Sequence, residues 1–337
     1  MAGNSFGELF RITTFGESHG NALGCVVDGM PGNLPVNIDE LKKELKRRAP
    51  GQHAVHTART EADEPEILSG VFEGKTLGTP ITVIVRNTNQ KSEDYKDLKE
   101  SYRPGHADKT TVEKYGVRDH RGGGRASGRE TVARAIGGYF AGLILKNVSA
   151  YAYIEQVGPF KLSARPVHGA DRGEINITDK KMSDDVIAFL KECKANGESA
   201  GGIVTLSVKG VPAGLGEPVF DKMKADLAKA MLSLPACVGF DLGAGFSMAS
   251  MKGSEISSDR KNFGGMEGGI TNGEEILLRV AFKAPSTLGE KAKAGRHDPC
   301  ILPRVVPVVE AMAKIVLADH WLRQSAYSPF LPSRSGQ

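Results

Sequence analysis

Short runs rich in β-branched residues, mostly bounded by glycine or proline, recur along the chain and predict strands over 8–14, 22–28, 66–72, 79–87, 149–157, 202–209, 238–251 and 276–284. Apolar residues at helical spacing predict helices over 38–48, 128–146, 184–196, 218–234 and 303–323. In the second of these, Val132, Ile136, Phe140 and Leu143 form the apolar stripe, and Ser127 followed by Glu130 reads as a capping box. The helix at 184 follows Ser183 as its cap and stops at Gly197. Short turns join neighbouring strands, which favours antiparallel pairing over a doubly wound sheet.

The pattern echoes itself once. VVDGMPGNL before the first helix and SVKGVPAGL before the fourth align at an offset of 181, pairing Gly29 with Gly210, Pro31 with Pro212 and Leu34 with Leu215. Each is a strand, a G-x-P turn and an amphipathic helix. Two related halves would produce this, and so would two turns converging on the same proline and glycine chemistry.

At 337 residues the chain can bury a sizeable core without a partner. Forty-one glycines exceed the usual ~7% and point to many tight turns or to places where backbone approaches a ligand. The net charge of +4 is too small for a polyanion-coated protein, but windows 42–59 and 103–134 concentrate the basic residues. No charged-then-apolar leader precedes Gly3 and no apolar run reaches membrane-spanning length, so a cytoplasmic protein is expected. The cysteines at 25, 193, 237 and 300 lack C-x-x-C spacing, which favours reduced thiols and predicts no metal site.

Gly16–Gly20 spells G-x-S-x-G, the nucleophile-elbow pattern, yet only one candidate strand precedes Ser18, where that elbow needs several. His19, in a glycine-flanked turn, is the better site residue. EGKT at 73–76 is one residue short of a phosphate-binding loop and links two strands, so a hairpin is expected.

The window 103–134, RPGHADKTTVEKYGVRDHRGGGRASGRETVAR, carries the most chemistry. Three glycines precede Arg125 and Arg129 at a helix start, where free N–H groups favour an anion such as phosphate or carboxylate. A solvated glycine-rich loop is the plainer alternative. One R-G-G-G-R without interleaved aromatics gives little support to RNA binding. His19 and His106 both sit in turns without metal-ligand spacing, which suits proton transfer or anion contact. Asp298, beside Arg296 and His297 in GRHDPC, is either a site carboxylate or half of a local ion pair.

Taken in order, RITTFGESHG, RPGHAD with RGGGRASGRETVAR, and GRHDPC with VVEAM resemble the chorismate synthase family. ILSGVFEGKTLGTPI, GVPAGLGEPVFDK and GGMEGGITNGEE carry the likeness across nearly the whole chain. The resemblance implies one domain over 1–337, an α+β fold with a helical layer between two antiparallel sheets and an internal pseudo-two-fold repeat, and a homotetramer. It implies 1,4-anti elimination of phosphate from 5-enolpyruvylshikimate 3-phosphate, requiring reduced FMN with no net redox change. Two carboxylates and a phosphate, together about −4 in charge, explain the arginines, whose forks match both groups.

By the same resemblance, Arg48, Arg103, Arg129 and Arg296 hold the substrate. Arg125, Ala126, Ser127, Ala236, Gly268, Lys283, Ala284, Pro285, Ser286, Thr287 and Arg296 line the flavin. His19 protonates or steadies the leaving phosphate, His106 stabilises the reduced flavin, Asp298 assists the flavin base, and Ser18 and Ser127 orient these groups. Arg48 is compatible with NADPH contact, although no dinucleotide-binding fingerprint is present and an external reductant is the default. Neither nucleic acid nor membrane is an expected partner.

The sequence departs from the family at Ala54, a position commonly basic, with His53, His56 and Arg59 nearby as stand-ins. It is also shorter between Ser258 and Gly264 and between Leu288 and Gly295, through either a more open cofactor rim or loops absent from the chain. The rival functions are a flavin-dependent redox enzyme on another anionic substrate and a non-catalytic phosphate-ligand or RNA binder.

Overall fold

The computed structural model describes residues 3–51, 63–87, 102–293 and 298–331. The first part of the chain forms strands β1 (Ser5–Phe6), β2 (Arg11–Gly16) and β3 (Ala22–Asp28), then helix α1 (Ile38–Arg48). After it come β4 (Pro65–Ile67), β5 (Val71–Phe72), β6 (Lys75–Thr76) and β7 (Ile81–Arg86). Helices α2 (Asp108–Tyr115) and α3 (Thr131–Ile144) lead to β8 (Ser149–Val157), β9 (Phe160–Lys161), α4 (Lys180–Asn196), β10 (Gly202–Lys209), α5 (Met223–Leu232) and β11 (Cys237–Leu242). The last part holds α6 (Gly253–Ser258), β12 (Met266–Glu267), β13 (Ile270–Thr271), β14 (Ile276–Phe282), α7 (Glu290–Lys293) and α8 (Leu302–Tyr327).

Two five-stranded sheets result, in the orders β1-β2-β3-β7-β4 and β11-β14-β10-β8-β9. Every strand pair among the described residues is antiparallel, as the short connections predict. Alternation sets the faces: in β7, Ile81, Val83 and Val85 are buried while Arg86 is exposed. Helix α3 packs on β2 and β3, α8 packs on β8 and β10, and the two helices pack on each other. Gly138 permits that approach, because a Cβ there would stand 2.3 Å from Ala311 Cβ.

Helix α8 is buried on nearly all sides from Leu302 to His320, as its almost uninterrupted apolar composition requires. Pro307 lies inside it and cannot donate to the carbonyl of Pro303. Asn176 Nδ2 donates to that oxygen instead, at 3.0 Å. The few polar groups of α8 are cross-links. Asp319 Oδ1 accepts from the backbone N–H groups of Glu8, Leu9 and Phe10 at 3.1, 2.7 and 3.0 Å. Glu310 accepts from Ala152 N at 2.9 Å, Arg172 Nη1 at 2.5 Å and Arg47 Nη2 at 2.7 Å.

The two echoed turns close in the same way. Thr76 Oγ1 accepts from Leu34 N at 2.9 Å and donates to Pro31 O at 2.7 Å. Thr271 Oγ1 accepts from Leu215 N at 2.9 Å and donates to Pro212 O at 2.7 Å.

Several sequence expectations need correction. The 66–72 strand is two, split where Gly70 takes φ +79° and a Cβ would stand 2.6 Å from Ile81 Cγ1. The 238–251 strand ends at Leu242, and 245–250 turns into a 3-10 helix. Asp179, not Ser183, caps α4 by accepting from Met182 N at 2.7 Å, while Ser183 is buried one turn in. The helix predicted over 218–234 is shorter, running from Met223 to Leu232. Ser127 accepts from Arg129 N at 3.3 Å, but Glu130 does not complete a capping box because Arg134 Nε takes its carboxylate at 3.0 Å. EGKT is the β5–β6 hairpin turn.

Burial alone would raise the Glu310 carboxyl, but the Arg47 and Arg172 guanidiniums and the Ala152 N–H outweigh it and hold the group below the ordinary glutamate value. Its stabilisation is therefore complete above about pH 4.3 and lost as pH falls through the lowered folded value. Glu310→Ala leaves the buried Ala152 N–H without its acceptor and takes a carboxylate from two half-buried guanidiniums, of which Arg47 keeps Glu44, and should cost about 2–3 kcal/mol at neutral pH. Denaturant midpoints check this: the gap between variant and wild type should be wide at pH 7 and close in acid.

Candidate active site

The turn between β2 and β3 places Ser18 and His19, both buried. Asn87, just past β7, holds that turn by donating from Nδ2 to Glu17 O at 3.1 Å and Gly20 O at 2.7 Å. Ser18 Oγ lies 3.0 Å from His19 Nδ1, so the serine is a hydrogen-bonding neighbour rather than an exposed nucleophile. Gly122, the first glycine of the triple run, lies flush against the imidazole: a Cβ there would come 2.1 Å from His19 Nδ1.

A second turn carries Arg103 and His106, with Asp108 at its base. The buried Asp108 accepts from Arg103 N at 3.1 Å, Arg103 Nε at 2.8 Å, Arg103 Nη2 at 2.9 Å and Arg118 Nη1 at 3.4 Å. His106 Nδ1 lies 2.9 Å from Asp108 Oδ1. Burial lowers the His106 imidazole below its ordinary value, Arg103 and Lys283 push the same way, and Asp108 opposes them. The imidazole is therefore mostly neutral near pH 7.

The third group is buried deeper. Asp63 bridges two guanidiniums, Arg48 Nη2 at 2.5 Å and Arg129 Nη1 on its other oxygen. Burial would raise the Asp63 carboxyl, but Arg48 and Arg129 hold it below the usual carboxylate range. Arg129 Nε also donates to Asn87 Oδ1 at 3.1 Å, tying this group to the His19 turn. A fourth pair, Asp298 with Arg304, closes the wall, and Arg304 Nε donates to Arg48 O at 3.3 Å.

These groups surround a cavity of about 250 Å³ lined by His19, Arg103, His106, Ser127, Arg129, Asp298 and Arg304, with small or apolar walls from Ala126, Pro235, Ala236, Pro285, Ser286 and Thr287. It shares His106, Ala126 and Ala236 with a second cavity of about 810 Å³, lined also by Arg125, Arg134, Lys229 and Lys283. That size falls within the roughly 300–1,000 Å³ of small-ligand pockets. Lys283 Nζ donates to Ser286 Oγ at 2.7 Å, and Ser286 Oγ to Gly105 O at 2.9 Å, so the segment after β14 is pinned to the His106 turn.

The structure thus gathers most of the residues named from sequence. Ser18 and Ala284 are not among the described residues lining either cavity, although each adjoins one that is. Arg48 is fully buried, pairs with Asp63 and is not among the described residues lining either cavity. Gly268 lines a different cavity, with Leu242, Met248 and Phe263. Arg125 turns away from the helix start and donates to Gly16 O at 3.1 Å and Thr14 Oγ1 at 2.5 Å. Arg125 and Arg129 thus have protein partners at the helix start, where the sequence suggested a bound anion as compensation. Arg296, Ala54, His53, His56 and Arg59 lie outside the described residues.

Sequence reasoning missed Asp63, Asn87, Asp108 and Arg304. Asp108 stands inside RPGHAD, and Arg304 is the one charged residue between Ile301 and Val309, which are signals. Asp63 and Asn87 carry none, since their partners are distant in sequence.

Gly122→Ala should force the His19 ring from its place and break the Ser18 contact, at a cost of about 1–3 kcal/mol in stability. A crystal structure of the variant with His19 unmoved would refute this.

Known proteins resemble this chain over nearly its whole length. The family model for chorismate synthase matches residues 10–322. The chorismate synthase of Christiangramia forsetii is 46% identical over 351 aligned positions, covering 97% of this chain and 99% of its own. That of Bdellovibrio bacteriovorus is 49% identical, covering 96% and 98%. A crystal structure of chorismate synthase superposes with a TM-score of 0.76 at 30% identity, covering 94% of this chain and 93% of the other. The first alignment is longer than this 337-residue chain, so that relative carries positions absent here. A cleft walled by paired arginines and two turn histidines, on a mixed fold with antiparallel sheets and in a sequence alike from end to end, leads to one conclusion: the chain belongs to the chorismate synthase family.

Proposed function

We propose that the joined cavities bind 5-enolpyruvylshikimate 3-phosphate beside reduced FMN and eliminate phosphate in the 1,4-anti sense to give chorismate, with no net redox change. The observation carrying this reading is the convergence of Arg103, Arg129 and Arg304 with His19 and His106 on one small cavity. A polyanionic substrate needs that cationic wall, and departing phosphate needs a proton or hydrogen bonds.

The adjoining residues suit the flavin. Ala126, Ala236 and Pro285 present small or apolar surface to a flat ring, and Lys283, Lys229 and Arg134 put cations along the larger cavity for a phosphate. Reduced FMN, held there by these residues, would supply electron density for C–O cleavage and a basic nitrogen for the C–H proton, with no net change in its oxidation state. The chain's own residues do the rest. Arg103 and Arg129 hold substrate anions in orientations fixed by Asp108 and Asp63. His19, oriented by Ser18, donates to the leaving phosphate oxygen. His106 meets the reduced cofactor's negative charge, and Ser127 donates nearby. Asp298, paired with Arg304, puts a carboxyl group at the wall to help draw the proton away. Arg48 acts from behind, through Asp63, in place of the NADPH contact its position in the sequence allowed. External reduction of the flavin fits that placement.

The finer architecture follows the same reading: one domain over 1–337, a layer containing α3 and α8 between the two sheets, and a pseudo-two-fold repeat. The matched Thr76 and Thr271 turns support the repeat, as does the correspondence of β2-β3-β7 with β8-β10-β14. We further propose a homotetramer acting in the cytoplasm on small molecules, without nucleic-acid or membrane partners; no described helix is long and apolar enough to cross a membrane.

Anaerobic incubation with reduced FMN and 5-enolpyruvylshikimate 3-phosphate should release phosphate and chorismate in equal amounts without net flavin oxidation. Ligand binding without product would overturn the reading. His19→Ala and His106→Ala should each lose about 10²–10⁴-fold in turnover while melting within a few degrees of wild type. Near-wild-type rates would remove those residues from the mechanism.

A further inference from the structure

His106 lines both cavities. Among the described residues only one nitrogen of its ring, Nδ1, is hydrogen-bonded. Nδ1 lies 2.9 Å from Asp108 Oδ1 and 3.1 Å from Arg103 Nη2, and these neighbours make opposite demands. The guanidinium can only donate, so a bond from Arg103 needs a bare Nδ1. An ionised carboxylate can only accept, so a bond to Asp108 needs a proton on Nδ1.

Donor and acceptor accounting decides between them. Arg103 Nη2 already donates to Asp108 Oδ1 at 2.9 Å. With a proton on Nδ1, both donors converge on that oxygen and both are satisfied. With Nδ1 bare, two lone pairs face each other at the 2.9 Å contact. Asp108 is ionised: burial pushes its carboxyl up, but hydrogen bonds from the Arg103 side chain and backbone, with the His106 and Arg103 charges, hold it well below the usual carboxylate range.

We propose that Asp108 is a positioning residue for the reaction: its carboxylate fixes His106 as the Nδ1–H tautomer and leaves Nε2 as the nitrogen whose proton the bound ligand controls. The inference rests on His106 being a cleft residue of the proposed function. Charged groups facing the ring are Arg103, Asp108 and Lys283. In the free protein near pH 7, Nε2 is a bare acceptor. An anion placed against Nε2 favours the charged imidazole, and the proton it takes up comes from solvent. His106 then donates to the ligand from Nε2 while still donating to Asp108 from Nδ1.

Nitrogen-15 NMR of the histidine-labelled free protein tests the tautomer directly. Wild type should show His106 with Nδ1 protonated and Nε2 bare above its titration. In Asp108→Asn the His106 ring should become a tautomer mixture and titrate at lower pH, because the carboxylate that raised its pKa is gone. Kinetically, Asp108→Asn should lower kcat about 10²-fold, with partial recovery in Asp108→Glu. Loosening Arg103 in Asp108→Asn should raise KM in either background, but in a His106→Ala background the same substitution should lower kcat less than about threefold more. A wild-type ring protonated on Nε2 alone would overturn the proposal, and so would kcat losses that multiply in the double variant. The spectrum needs neither turnover nor a folded variant. A wild type that makes no chorismate would therefore sink the functional reading, while the NMR still decides the tautomer.

Discussion

Several guanidiniums pointed into one concave wall repel each other, and no such wall stands unless something fixes each one before ligand arrives. In this protein carboxylates do that work. Asp108 grips Arg103, Asp63 bridges Arg48 and Arg129, and Asp298 pairs with Arg304. Each removes part of the repulsion and, through the directionality of its hydrogen bonds, fixes where the remaining N–H groups point. An incoming anion meets donors already oriented, so less of its binding free energy is spent on ordering them.

The carboxylates depend in turn on the scaffold. Asp63 and Asp108 are buried, and a buried charge survives only where its partners are held close. Helix α8 contributes both the base of the wall, through Arg304, and the cross-links that keep the sheets in register with it, through Glu310 and Asp319. The pairs on Asp63 and Glu310 also hold together segments far apart in the chain, Arg129 with Asp63 and Arg47 with Glu310.

Local signals were readable. Alternation and flanking glycines located 22–28, 149–157 and 202–209 to the residue, and the glycine-flanked turns located His19 and His106. Expectations failed where two local solutions competed: Asp179 displaced Ser183 as a cap because both precede the same apolar stripe. The run at 238–251 lost its second half to a turn at Gly243, since a run of small residues fits a bend as readily as a strand. What could not be read was the pairing that sets direction. Arg129 and Asp63 are 66 residues apart, and Arg304 and the carbonyl of Arg48 are 256 apart. Spacing rules do not reach that far, so the partner that holds Arg48 in the structure, Asp63, was not legible.

The bonds from Glu8, Leu9 and Phe10 to Asp319 span more than 300 residues, joining the earliest strands to the final helix. During synthesis these turn amides therefore stay bonded to water until almost the entire polypeptide has left the ribosome. Such long-range closure slows folding. It also means that no shortened product ending before α8 can assemble this cleft, so the last helix acts as a completeness check on the newly made protein.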